Sequence, residues 1–378
     1  MTPTRNRARQ HLCNAISACF AAAMLMATPA PSYAGDIPTF AVDASWPKPL
    51  PNNWILGQVG GITVDAQGHV WVIHRPRSLT DDEKGAALTP PRSKCCISAP
   101  PVLEFDADGN MLRAWGGAGE GYEWVGREHG IEVDDKGFVW IGGNADNDNA
   151  ILKFTADGKF VMQIGKIAPS KGSNDTTQLG KPAETAVDKD ANEIFVADGY
   201  GNRRVIVFDA SSGVYKRHWG AYGNPPNDDK QPPYDPSGPA PQQFANPVHC
   251  VKLATDGLLY VCDRINNRIQ VFKKDGTFVN EWFYEKNTRG NGAVWDIAIW
   301  PDPKQTYLLS ADGENNEIRV LKRDDGTVVG SFGRNGRNAG QFHWIHAMAI
   351  DAKGNVYTAE VDTGKRIQKF KLTSDALK

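Results

Sequence analysis

Val133-Asp-Asp-Lys-Gly-Phe-Val-Trp140 decides the fold. An Asp-x-x-Gly cluster between two short apolar runs reads as a tight hairpin turn joining two strands. The pattern recurs as Val64-Asp-Ala-Gln-Gly-His-Val-Trp71, Val187-Asp-Lys-Asp-Ala-Asn-Glu-Ile194, Leu253-Ala-Thr-Asp-Gly-Leu-Leu-Tyr260 and Ile350-Asp-Ala-Lys-Gly-Asn-Val-Tyr357, with a degenerate copy from Ile299 to Tyr307. A second series interleaves with it: Phe105-Asp-Ala-Asp-Gly, Phe154-Thr-Ala-Asp-Gly, Phe208-Asp-Ala-Ser-Ser-Gly, Phe272-Lys-Lys-Asp-Gly and Leu321-Lys-Arg-Asp-Asp-Gly. Its sixth member is cut off at Phe370-Lys-Leu.

Two hairpins per unit make a four-stranded meander, with strands A to D running outward from an axis. Turns of the second series fall 49 to 64 residues apart, and six such units fill the chain after its first 34 residues. That count predicts an all-β, six-bladed β-propeller over residues 35–378. The last unit stops after its third strand, and Pro38-Thr-Phe-Ala-Val-Asp-Ala-Ser-Trp46 is a spare strand at the other end. It is expected to close the last blade and remove an open edge.

Aligning the starts of the A strands puts Gly60, His129, Ala183, His249, Trp295 and His346 at one position. Histidine thus occupies alternate blades, roughly 120° apart about the axis of a closed propeller. Three converging imidazoles are the donor set of a metal site with open positions. In an antiparallel meander, the starts of A and C share a face with the ends of B and D. The long segments Pro76 to Pro101, Lys166 to Pro182, Ala221 to Pro247 and Tyr284 to Ala293 all emerge on that face. So do Arg75, Tyr200 and Arg264 at the ends of B strands. An arginine can grip a carboxylate with two hydrogen bonds, and a tyrosine beside a divalent cation can serve as a base. Arg204, Arg268 and Arg366, four residues before Phe208, Phe272 and Phe370, are read instead as structural ties. Blade five departs from that spacing with Glu317.

Arg5, Arg7 and Arg9, the apolar stretch Ala15 to Ala27, and Ser32-Tyr33-Ala34 read as a cleavable signal peptide over residues 1–34. The expectation is a periplasmic or secreted protein with no membrane association after cleavage. Cleavage would leave 39 basic against 44 acidic side chains, a net charge of about −5. Nothing in that balance suggests nucleic acid. Cys95, Cys96, Cys250 and Cys262 would remain. Cys250 and Cys262 flank the Asp256 turn symmetrically and should face each other, with two buried thiols the expected state and a strained cross-strand disulfide the alternative. Cys95 and Cys96 lie in the long loop after Arg75.

The runs Asp198-Gly-Tyr-Gly-Asn-Arg-Arg-Val-Ile-Val-Phe208, Asn246-Pro-Val-His-Cys250 and Asp263-Arg-Ile-Asn-Asn-Arg-Ile-Gln-Val-Phe272 resemble NHL-repeat propellers. More narrowly, the chain from Gly57 to Phe370 is similar to peptidyl-α-hydroxyglycine α-amidating lyases. That resemblance implies a zinc held by His129, His249 and His346, a catalytic Tyr200, and active-site Arg75 and Arg264. It implies cleavage of a carbinolamide N–C bond to an amide and glyoxylate, on a small-molecule or peptide-derived carboxylated substrate.

The chain also departs from those lyases. Their structural calcium needs a carboxylate directly after the third histidine, where this chain has Ala347, so calcium is not expected at Ile62 and Ile131. Gly201 stands where they carry a disulfide cysteine, and Trp344-Ile345 before the third histidine implies a reshaped pocket. No copper monooxygenase domain is expected ahead of the propeller. The alternative expectation is a non-catalytic NHL binding module with a structural metal. A calcium lactonase on this architecture would want Glu, Asp and Asn where the channel has histidine.

Overall fold

Asp134 shows why the turn motif folds as it does. In the computed structural model, which describes residues 37–377, its Oδ1 accepts the Lys136 and Phe138 N–H groups while Oδ2 accepts the Trp140 indole. Asp65 does the same for Gln67, His69 and Trp71, and Asp351 for Lys353, Asn355 and Tyr357. One carboxylate therefore satisfies the bend and anchors the next strand's aromatic ring. Gly137 and Gly354 complete these turns with φ near +77°, a conformation that costs glycine little.

Six four-stranded antiparallel sheets result. Blade one is Gln58–Val64, Val70–Arg75, Val102–Phe105 and Met111–Trp115; blade two is Glu128–Val133, Val139–Gly143, Asp148–Phe154 and Phe160–Ile167. Blade three is Glu184–Asp188, Glu193–Asp198, Arg204–Asp209 and Tyr215–Trp219; blade four is Val248–Leu253, Leu258–Asp263, Arg268–Lys273 and Phe278–Phe283. Blade five is Asp296–Ile299, Tyr307–Asp312, Glu317–Lys322 and Val328–Phe332. Blade six takes Ile345–Ile350, Val356–Glu360 and Ile367–Leu372 from the end of the chain. Its outer strand is Phe40–Val42, paired Phe40 to Leu372 and Val42 to Phe370. The expected closure is present, over a shorter strand than Pro38 to Trp46. The A strands touch their neighbours all round, blade six against blade one included.

The core lies between blades rather than at a single centre. Aromatic and branched side chains of adjacent sheets interleave, as Trp46, Val72, Phe105 and Tyr357 do between blades six and one. Among the described residues no α-helix forms, and no helix is long and apolar enough to cross a membrane. The signal peptide expected over residues 1–34 lies outside the described residues.

The arginines read as structural are so placed. Arg204 Nε meets Asp198 at 2.8 Å with both groups fully buried, and Arg268 meets Asp263 likewise. Arg366 pairs with Glu360 at 2.6 Å. Blade five keeps the device by moving the arginine two residues past Glu317, so that Arg319 holds Asp312.

Cys250 and Cys262 differ from the expected buried thiols. Cys250 and Cys262 do pair across strands A and B, but as a disulfide with Cα atoms 4.8 Å apart. Cys95 and Cys96 also form a disulfide, between adjacent residues. Facing positions were legible in the turn symmetry; the oxidation state was not.

Candidate metal centre and pocket

The histidines sit where the A strands bulge. The A–B ladder of blade four jumps from Val248–Asp263 to Cys250–Cys262, skipping His249. That of blade six jumps from Ile345–Glu360 to Ala347–Ala359, skipping His346, and blade two breaks between Glu128 and Ile131 around His129. A bulge frees a residue from the pleat and re-aims its side chain, here toward the axis.

Each imidazole is then fixed by the next blade. His129 Nδ1 lies 2.8 Å from the Ala183 carbonyl, and His346 Nδ1 lies 2.8 Å from that of Gly60. His249 Nδ1 bonds to the Trp295 carbonyl in the same way. Ala183, Trp295 and Gly60 are the residues aligned with the histidines in the intervening blades. A carbonyl only accepts, so each Nδ1 carries the proton and each Nε2 keeps a lone pair.

Ring centroids lie 4.7 to 5.1 Å apart, and one ring nitrogen from each histidine falls within 4.8 Å of the other two. Burial holds all three far below the usual histidine range, aided by Arg75 at His129, by Arg264 at His249 and by His129 at His346. Neutral imidazoles with inward lone pairs are the ligating form, and the cluster could hold a metal ion.

Tyr200 meets this centre directly. Its hydroxyl lies 3.0 Å from both His129 Nε2 and His249 Nε2, and it accepts from Arg264 Nη1 at 3.2 Å. Two anchors in the B strands put these groups there. Asp198, two residues earlier, accepts from Gly180, Asn202 and Arg204, while Asp263 does so from Ala245, Asn266 and Arg268. Gly199 is required between Asp198 and Tyr200, because a β-carbon there would run into the Val248 backbone.

Above the histidines opens a cavity of about 390 Å³ lined by Arg75, Arg127, Tyr200, Arg264, Trp295 and Trp344, among others. Arg75 donates from Nε to the Glu128 carbonyl and from Nη1 to Gln58 Oε1. The Arg264 guanidinium lies 4.4 Å from the Trp295 ring centre. Trp344 packs against Trp295 at 5.5 Å and adopts φ +57°, a conformation that costs a bulky residue energy and recurs at binding sites.

All six residues expected at the site therefore converge on one face. Asn144 and Val361 join the lining from the register that gave Arg75, Tyr200 and Arg264, so the B-strand ends of blades two and six carried that signal. Arg127 had a weaker one, two residues before His129. His74, on the same face, is satisfied within the fold by the Gly57 N–H and the Pro100 carbonyl.

No family model matches the chain. It is similar to NHL repeat-containing protein 3 of Mus musculus, 28% identical over 90% of this chain and 86% of that one. It is also similar to peptidyl-alpha-hydroxyglycine alpha-amidating lyase 1 of Drosophila melanogaster, 29% identical over 88% of this chain but 60% of the fly protein. A probable lyase of that kind from Caenorhabditis elegans is 25% identical over 83% of this chain and 82% of its own length. Its homologues are NHL-repeat proteins and α-amidating lyases. A streptogramin B lyase structure superposes with a TM-score of 0.50 at 13% identity, covering 90% of this chain and all of that one, which speaks for the fold alone.

The calcium that likeness to amidating lyases implies does not fit here. Ile62, Ile131 and Ala347 do line the channel beside the histidines, and with them Glu184 and Asp296, whose carboxylates already share a cation. Lys252 Nζ bonds Glu184 and lies 3.3 Å from Asp296 Oδ1. An ammonium already supplies the positive charge that a second cation would bring.

Proposed function

We propose that this chain is an exported, zinc-dependent lyase that cleaves the carbinolamide N–C bond of an α-hydroxyglycine compound, releasing an amide and glyoxylate. The observation that carries the reading is the Tyr200 hydroxyl, held between two imidazoles of the centre and Arg264 at the floor of the cavity. His129, His249 and His346 would hold the zinc, which when bound supplies Lewis acidity to a substrate hydroxyl or carboxylate oxygen.

The chain's own groups account for the rest. Tyr200 takes the proton of the substrate hydroxyl, the C–O bond becomes a carbonyl, and the N–C bond breaks with its electron pair on nitrogen. The proton is returned to that nitrogen, so R–CO–NH–CH(OH)–COO⁻ gives R–CO–NH₂ and OHC–COO⁻ with nothing left over. Arg264 and Arg75 hold the carboxylate and the developing charge. Trp295 and Trp344 wall the cavity and limit water around the reacting atoms.

The likeness to the mouse NHL repeat-containing protein favours a second reading, a binding propeller whose metal is structural. Metal analysis and glyoxylate release from N-benzoyl-α-hydroxyglycine separate the two. Zinc near one per chain with turnover supports the lyase; zinc without turnover supports the binding module. Protein purified without chelators and free of zinc would remove both. Export is tested by N-terminal sequencing of the mature protein, which should begin after Ala34.

A further inference from the structure

The cavity's charges are out of balance. Arg75, Arg127 and Arg264 line it, against Asp362 as its carboxylate. Among the described residues none of the three arginines forms an ion pair. Arg75 is 4% exposed and spends its donors on a carbonyl and a neutral amide. Arg264 is 7% exposed, its Nη1 donates to the Tyr200 hydroxyl, and its buried Nε has no partner. Arg127 is exposed at the rim, but its backbone is fixed there. Its N–H donates to Asp148 Oδ2 at 2.9 Å, and its carbonyl accepts from Asn144 at 2.9 Å.

A buried guanidinium without an ion-pair partner is costly, and the buried Glu128 carboxylate near Arg75 is already paired with Arg77. One substrate carboxylate would be engaged by Arg264, Arg75 and the metal, which leaves Arg127, beside Arg75 in the lining, unanswered. These two are near enough that burial, and then the charge of Arg127, bring Arg75 down to about 10. An anion placed between them would relieve that repulsion.

We propose that the cavity selects small dianions, α-hydroxyglycine compounds whose acyl arm ends in a second carboxylate, and that Arg127 at the rim reads that second charge. The substrate class rests on the lyase reading; the dianion site does not. In this arrangement Arg264, Arg75 and the metal face the glyoxylate-forming carboxylate and its developing charge, and Arg127 determines specificity from the rim without touching the reacting atoms.

The test compares N-succinyl- with N-acetyl-α-hydroxyglycine on the metal-loaded protein. The succinyl compound should be preferred about tenfold or more in kcat/KM, through KM. In Arg127→Gln that ratio should fall to about one, and Arg127→Lys should restore part of it. A ratio near one in the wild type, or the same ratio in Arg127→Gln, overturns the proposal. Calorimetry with succinate and propionate keeps the two readings apart. If neither compound releases glyoxylate, yet succinate binds about tenfold tighter and loses that advantage in Arg127→Gln, the lyase reading fails and the dianion site stands. Equal affinities for succinate and propionate sink the site whatever the turnover.

Discussion

Two layers of the same channel treat buried charge in opposite ways. In the upper layer His129, His249 and His346 turn lone pairs inward, and Arg75 and Arg264 find no carboxylate. In the lower layer Lys252 holds Glu184 and approaches Asp296, Glu132 accepts from Thr63, and the Asp296 oxygens take the Ile297 and Met348 N–H groups. In the lower layer one ammonium and several donors of the fold serve three carboxylates, whereas the upper layer's arginines pair with none. Polar groups satisfied inside the fold belong to its stability, and those left open are addressed to a ligand.

The largest expected effect is a break in the upper layer alone. His249→Ala removes one ligand and leaves the Trp295 carbonyl without its partner. Bound metal should fall to background and glyoxylate release should drop about a thousandfold or more, as losses of metal chemistry do. Retention of metal by this variant would break the comparison at its root. Tyr200→Phe comes next, with kcat down about 10²–10⁴-fold, the range for a lost general base. Its metal content should match the wild type, a result that separates a proton-transfer group from a structural one.

How far the two layers could be read in the sequence follows from periodicity. The blade count and the histidine register were legible because the Asp-x-x-Gly turns repeat and their geometry is local. The lower layer was not, since the bulges at the histidines shift the two-residue alternation by one. That shift brings Glu132 and Lys252 toward the axis three residues after His129 and His249, where a regular pleat would turn them away. Arg127 escaped for another reason: it lies in a connection, where no repeat fixes a side chain's direction. Trp295 was placed in the register but given no role there, because its part depends on stacking with Arg264 and Trp344 across blades.

Lys252→Met tests the lower layer. Burial alone would lower this ammonium, but Asp296 and Glu184 overcome it and hold it well above the ordinary lysine range. Removing it leaves neighbouring buried carboxylates unpaired. That should cost about 3 kcal/mol, the low end for breaking a buried pair, because the channel admits some water. The thermal midpoint should fall by several degrees while zinc content at low temperature is kept. Calcium should raise the midpoint of this variant more than that of the wild type. A variant as stable as the wild type would mean that the lysine is incidental and the layers are not different in kind.

The smallest effect isolates one charge of the lower layer by pH. Burial pushes Glu132 up to about 7, against the pull of Lys252. A carboxyl raised in the folded state gives its full share of stability below the unfolded value near 4.5, and that share is lost as pH rises through 7. Glu132→Gln keeps a neutral group against Thr63 and removes the titration. The variant should gain on the wild type as pH climbs from 5 to 8, by roughly 1–2 °C in thermal midpoint. A gap that is flat with pH would show that Glu132 keeps an ordinary carboxylate's affinity for its proton. Because Glu132 stands three residues below His129 and does not line the upper cavity, turnover at a fixed temperature should not follow this change. If it does, the two layers are coupled through the A strand of blade two, and the division between structure and site would have to be drawn lower in the channel.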